Sequence, residues 1–263
     1  MYLRKVSIGH LLFASCFALI GAISLGLHDF LLFQQPVPKD IPWRESLACI
    51  SAALLLLPGI GLLIPATAKQ SALLLTGFVA LWVAALWLPQ ALAHPLVEAN
   101  WLGVGEDMTL VTGGWLIYCA IRGRSDASLR IARVLFGLAL VPIGLSHFFY
   151  LHGAAQLIPA WMPLRVPLTL LAGAGHIAAG LAIACGVVPR FAATLEGSME
   201  SLITLIVWVS AIAAKAGDHE NWVNLLVSTA ETAAAWVVAA SYAASAMSDA
   251  AQTNRSVLSR QSS

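Results

Sequence analysis

The chain has 263 residues, of which 59% are apolar and only 10% charged, with a net charge of +1. A water-soluble domain carries about a quarter charged residues, so this chain lacks the polar surface of a soluble enzyme or a disordered protein. Its near-neutral balance also excludes nucleic acid as a partner, because no basic footprint exists.

The first apolar run follows Arg4 and Lys5 and continues to about residue 33. That is longer than the roughly 7–15 residues of a signal-peptide core, so the reading is an uncleaved first transmembrane helix. A helix needs about 20 apolar residues to cross the hydrocarbon layer. Eight segments meet this, at 7–33, 44–64, 67–93, 102–121, 129–151, 165–188, 190–214 and 222–247. Prolines at 36, 38, 42, 65, 95, 159, 163 and 189, the run Arg122-Gly123-Arg124-Ser125, and Gly217 separate them.

Lys and Arg set the orientation. Ten fall on one side: Arg4, Lys5, Lys69, Arg122, Arg124, Arg130, Arg133, Arg190, Arg255 and Arg260. Four fall on the other: Lys39, Arg44, Arg165 and Lys215. Both termini are expected in the cytoplasm. Trp43, Trp101, Trp161 and Trp222 fall at the outer borders, where an amphipathic ring is favoured. The cysteines Cys16, Cys49, Cys119 and Cys185 stand singly in apolar runs, with no C-x-x-C pair for a thiol relay or zinc.

The eight spans divide into two sets of four. Asn100-Trp101 is followed by Trp115, and Asn221-Trp222 by Trp236 at the same distance. Gly26-Leu27-His28 echoes Gly144-Leu145-Ser146-His147, Pro42-Trp43-Arg44 echoes Pro159-Ala160-Trp161 with Arg165, and Pro65 echoes Pro189. An even number of spans per unit makes these parallel repeats. The expected all-α architecture is therefore two parallel four-helix bundles, at 1–121 and 129–247. A basic linker, 122–128, joins them, and a disordered cytoplasmic tail, 248–263, follows. Small residues in spans six and eight, among them Gly173, Gly180 and Ala233–Ala235, allow close helix approach.

An ionisable side chain at the bilayer centre costs about 2.5–3.5 kcal/mol on insertion scales, so each needs a partner or a purpose. The first repeat reads as nearly clean, while the second carries His147, His176, Glu196, Glu200 and Glu231. Glu196 and Glu200 share one helix face at i,i+4. Counting depth at roughly 1.5 Å per residue suggests two pairs, His176–Glu200 near the midplane and His147–Glu231 nearer the outside, with Glu196 toward the cytoplasm. Such a set handles protons, and a quinone needs a proton donor or acceptor beside an apolar slot, here assigned to Trp161 and Phe148. The alternative is that these groups only tie helices together. On the outer face, His28, Asp29, His94, Asp107, His152, Asp218, His219 and Glu220 form a rim without tight metal-ligand spacing.

The stretch 130–208 resembles the DoxX-like membrane proteins. The resemblance lies in Gly144-Leu145-Ser146-His147-Phe148-Phe149, Ile158-Pro159-Ala160-Trp161-Met162-Pro163, Gly173-Ala174-Gly175-His176 through Leu181, and Val188-Pro189-Arg190-Phe191-Ala192-Ala193. It implies a four-helix membrane unit, some members of which serve respiratory oxidoreductases, including a thiosulfate:quinone oxidoreductase. His176 stands where relatives often carry a Glu. The reading is then a bacterial inner-membrane protein that binds quinone or holds a soluble oxidoreductase subunit at the membrane, possible as a homodimer, with no covalent cofactor. The other readings are a small-solute or proton transporter and a non-catalytic scaffold. Without a Gly-rich nucleotide motif, a haem-attachment motif or a cysteine pair, electrons would have to come through quinone or a partner.

Overall fold

The computed structural model describes residues 7–31, 34–123 and 126–261, with side chains described to residue 244. The described residues form α-helices and π-helical turns. The helices are α1 (Ile8–Leu27), α2 (Arg44–Leu63), α3 (Ala68–Trp82), α4 (Leu88–Ala93), α5 (Glu98–Arg122), α6 (Asp126–Phe149), α7 (Leu151–Leu157), α8 (Arg165–Cys185), α9 (Pro189–Ile203), α10 (Val209–Ala214) and α11 (His219–Gln261).

Seven stretches are long and apolar enough to cross a membrane, the pattern of a polytopic membrane protein: α1, α2, Ala68–Ala93, α6, α8, Pro189–Ala214 and His219–Ala244. The fourth expected span, α5, has the length but contains Glu98, Glu106 and Asp107 and stands outside that set. Boundaries follow local chemistry. Ser7 caps α1 by accepting the His10 N–H at 3.2 Å. Pro189 opens α9, where its missing N–H costs nothing. Two expectations shift: α6 already begins at Asp126, inside the expected linker, and α11 continues as helix to Gln261, past the expected end of the eighth span. The short α7 occupies part of a loop.

The two halves show the same irregularities at one constant offset. Each third crossing is a 15-residue helix, then a five-residue π turn, then a six-residue helix. The turns are Val83–Trp87 and Thr204–Trp208. Trp43 and Leu164, both left-handed, precede α2 and α8, each of which begins with Arg. Trp101 Nε1 donates to the Pro95 carbonyl at 3.0 Å, and Trp222 Nε1 to that of Ala216 at 2.9 Å. Asn100 and Asn221 likewise reach back to the carbonyls of Gln90 and Ala211. Every one of these partners lies 121 residues from its counterpart.

The helices do not sort into two separate bundles. The first helix of each half packs on the last helix of the other: α1 against α11, and α6 against α5. The central pair α5–α11 is itself in contact. The result is one bundle with a group of helices on either side of that pair. One group is α1, α2 and α3; the second is α6, α8 and α9 and encloses a chamber. The expectation of two self-contained four-helix bundles is corrected by this exchange, which sequence periodicity cannot reveal because it reports faces and not neighbours.

Lipid offers no hydrophobic drive for helix association, so close fit must supply it. At the α6–α8 crossing, a Cβ added at Gly144 would lie 2.6 Å from the Gly173 carbonyl oxygen, and one at Gly137 would lie 2.5 Å from that of Gly180. Gly21 and Gly59 make the matching contacts between α1 and α2, against Leu56 and Ala18.

Candidate functional site

The chamber of the second half is a cavity of about 1010 Å3. Its wall is mostly aliphatic, with Leu157, Met162, Leu168 and Ile206 among the lining residues. One side is ionisable, formed by Glu106, His147, His176, Glu200 and Glu231, with Glu220 at another point of the lining. No Lys or Arg lines it among the described residues.

Local packing dictates where the polar side chains point. On α9, Gly197 sits beneath the Trp236 ring of α11, where an added Cβ would lie 3.1 Å from the indole, and Ser201 accepts the Trp236 Nε1–H at 3.2 Å. Anchoring 197 and 201 on α11 leaves the neighbouring face, Glu196 and Glu200, turned toward α8. Thr204, in the π turn, is bonded to Ser228 at 2.6 Å and Thr232 at 3.2 Å on α11. A π turn widens a helix by one residue and often marks functional sites; here it supplies Ile206, Val207 and Trp208 to the cavity.

His176 lies at the centre of the polar side and is fully buried. Its Nδ1 donates to Glu196 Oε1 at 2.8 Å, and Glu196 is itself 1% exposed. Its Nε2 stands 3.6 Å from Glu200 Oε1, beyond hydrogen-bond distance, and has no hydrogen-bond partner among the described residues. Gly173 admits α6 so closely that the His147 ring lies 5.2 Å from the His176 ring, centroid to centroid. His147 Nδ1 donates to the Ile143 carbonyl at 3.0 Å, which leaves its Nε2 as the acceptor.

The structure therefore brings His147, His176, Glu196, Glu200 and Glu231 into one neighbourhood, but with other partners than expected. Glu196, placed lower from the sequence, is the hydrogen-bond partner of His176. No hydrogen bond or ion pair joins His147 to Glu231 among the described residues; the nearest ring to His147 is His176. Trp161 and Phe148, expected to form the quinone slot, are 70% and 42% exposed and do not line the cavity. Met162, Leu164 and Trp208 line it instead.

The first half is not clean. Asp107, placed on the outer rim from the sequence, is fully buried, and neither of its oxygens makes a hydrogen bond among the described residues. Glu106 reaches across into the chamber of the second half. Both were missed because α5 starts at Glu98 and not at 102, which sets Glu106 about 12 Å along the helix at 1.5 Å per residue. The rim itself is tied up in part: Asp29 binds Arg44 at 2.8 Å and Asp218 binds Lys215 at 2.7 Å.

The constant offset supplies an internal comparison. His176, Glu196, Glu200 and Glu231 lie 121 residues after Leu55, Leu75, Val79 and Leu110, and Glu106 lies as far before Val227. All five of these counterparts are buried apolar core residues. The fold thus accepts hydrocarbon at every one of these places. Helix association alone does not call for the acid and imidazole.

Compared with known protein families, with curated proteins and with solved structures, the chain finds no match.

Proposed function

We propose that this protein is a DoxX-like membrane subunit that binds a quinone-class lipid in the chamber of the second half and moves protons there for an oxidoreductase partner. The observation that carries the reading is the cavity itself: about 1010 Å3, mostly aliphatic, with two imidazoles and three carboxylates along one side. Such a site suits a molecule with a long apolar tail and a polar ring. A quinone exchanges two electrons together with two protons. His176 and Glu200 would face the ring oxygens, with His147 beside them, and would hold or pass those protons. Glu196 fixes the tautomer of His176 by accepting its Nδ1–H, so that Nε2 presents a lone pair to the cavity. Glu106 and Glu231 line the same cavity and extend the set of proton-holding groups. The electrons belong to a soluble partner, since the chain has no cysteine pair to carry them.

In the same reading the chain is a tandem duplication of a four-helix unit in a bacterial inner membrane, with both termini cytoplasmic. The recurrent π turns and tryptophan hydrogen bonds support duplication. The apolar set Leu55, Leu75 and Val79 supports assigning the chemistry to the second copy alone.

The test is purification in mild detergent followed by solvent extraction and mass spectrometry. Quinone near one per chain is expected, falling at least tenfold in the His176→Leu/Glu200→Val variant. Absence of quinone from the wild-type protein, or equal recovery from the variant, overturns the reading.

A further inference from the structure

We infer that the polar side of the cavity is a divalent transition-metal site, with His176 Nε2 and Glu200 as its protein ligands, Glu196 as the positioning residue, and water completing the coordination. The inference concerns the same atoms as the proposed function: with a metal on Nε2 and Glu200, the groups left to hold protons for a quinone are His147, Glu106 and Glu231.

Three observations carry it. First, His176 is fully buried, yet its Nε2 has no hydrogen-bond partner among the described residues. The residue lines the cavity, so this is a buried donor atom left open beside a space large enough to hold a ligand. Secondly, the spacing fits a shared cation better than a direct bond. Glu200 Oε1 lies 3.6 Å from Nε2, too far for a hydrogen bond. Two ligand atoms at about 2.0–2.1 Å from a tetrahedral ion stand roughly 3.3–3.5 Å apart. One ligand atom each from His176, Glu196 and Glu200 lies within 4.8 Å of the others. Thirdly, the arrangement behind the imidazole is that of a metal-binding histidine. Glu196 accepts the Nδ1–H at 2.8 Å from a position 1% exposed, and a carboxylate on the far nitrogen is what orients such a ring and raises its basicity.

Charge points the same way. Glu106, Glu200, Glu220 and Glu231 line the cavity with His147 and His176, and no Lys or Arg lines it among the described residues. Carboxyl groups in so apolar a surround are either protonated or set beside a counter-charge, and no basic side chain among the described residues supplies one there. An imidazole and a carboxylate with water suit manganese, iron or zinc more than copper(I), which prefers thiolate and thioether.

The experiment uses the purified full chain in detergent, treated with chelator and then titrated with Mn2+, with Zn2+ as competitor. One Mn2+ per chain is expected, displaced by Zn2+, with a nitrogen coupling from His176 in the pulsed electron paramagnetic resonance of the wild-type protein. His176→Leu is expected to abolish binding and the nitrogen signal, and Glu196→Gln to weaken binding 10–100-fold. The His176→Leu/Glu196→Leu variant has the pair found at Leu55 and Leu75 in the first half, so it is expected to fold, as a melting curve would show, and to lose the metal as well. Absence of stoichiometric Mn2+ or Zn2+ binding overturns the inference, as does Mn2+ bound without a nitrogen coupling. The wild-type readouts need no variant. Quinone recovery, measured on the same preparation, reports on the other reading independently.

Discussion

His176 and Glu196, twenty residues apart on neighbouring helices, form a 2.8 Å hydrogen bond in which both side chains are withdrawn from the surface. Burial makes the pair sensitive to losing one partner and tolerant of losing both. Removing the imidazole strands the buried Glu196 carboxylate without its hydrogen bond, at a cost of about 3 kcal/mol. Replacing both with hydrocarbon of similar size is often neutral or stabilising. The first half already contains that replacement in Leu55 and Leu75. His176→Leu alone is therefore expected to lower stability by about 3 kcal/mol, whereas His176→Leu with Glu196→Leu restores most of it. Thermal unfolding in one detergent, read as a double-mutant cycle, checks this; additive losses would contradict it.

The α6–α8 crossing gives a second prediction. A Cβ at Gly144 would lie 2.6 Å from the Gly173 carbonyl oxygen, so Gly144→Val forces the helices apart. Overpacking of this kind costs about 1–3 kcal/mol. It also moves His147 away from His176, so melting temperature is expected to fall and, on the proposed function, quinone recovery with it. A variant that keeps both at wild-type values would show that the crossing has slack.

Asp107 is buried beside the Trp87 indole, whose N–H is directed to the Gln34 carbonyl at 3.2 Å, so its carboxylate has at best a weak share of that donor. An unmet buried polar group costs about 1–3 kcal/mol. Its counterpart in the second half is Ser228, bonded to Thr204 at 2.6 Å, while Val83 stands where Thr204 would be. Asp107→Ser combined with Val83→Thr is expected to rebuild that bond and to raise the melting temperature. A drop would show that the carboxylate has a stabilising partner.

The Lys215–Asp218 bridge lies outside the spans and is exposed. The hydrogen bond from Lys215 pulls the Asp218 carboxyl below its ordinary range, and the same contact pushes the Lys215 ammonium upward. A depressed carboxyl contributes stability above its unfolded value and loses it as pH falls through the folded one. A raised amine contributes below its unfolded value and loses it as pH rises through the folded one. The bridge is thus intact across the neutral range. Exposed pairs contribute little, so Asp218→Asn is expected to leave the melting temperature at pH 7 within error. A clear decrease would mark a structural role for this turn.

How much of this was readable beforehand depends on the range of the interaction. Apolar runs and prolines report local cost, and they located the crossings to within a few residues. The recurrence of Asn-Trp and the later Trp was legible because it is sequential. The partner of His176 was not, because depth counting treats helices as straight rods with known ends. The count gives height along an axis and not which face meets the neighbour, so it could not choose between Glu196 and Glu200 on one face of α9; the early start of α5 at Glu98 misplaced Asp107. Glu106 was invisible for a further reason. Its membership of the chamber depends on α5 lying against α6 and α11, a non-local fact that no window of sequence encodes.

The exchange of first and last helices between halves sets a condition on any four-helix chain packed in the same way. A solitary four-helix unit packed in this way leaves its opening helix bare until a twin supplies the closing one, and so has to pair before it is complete. Pairing of identical units yields two equal interiors. In this chain Leu55, Leu75 and Val79 fill the interior on one side, while the other holds the acidic cavity.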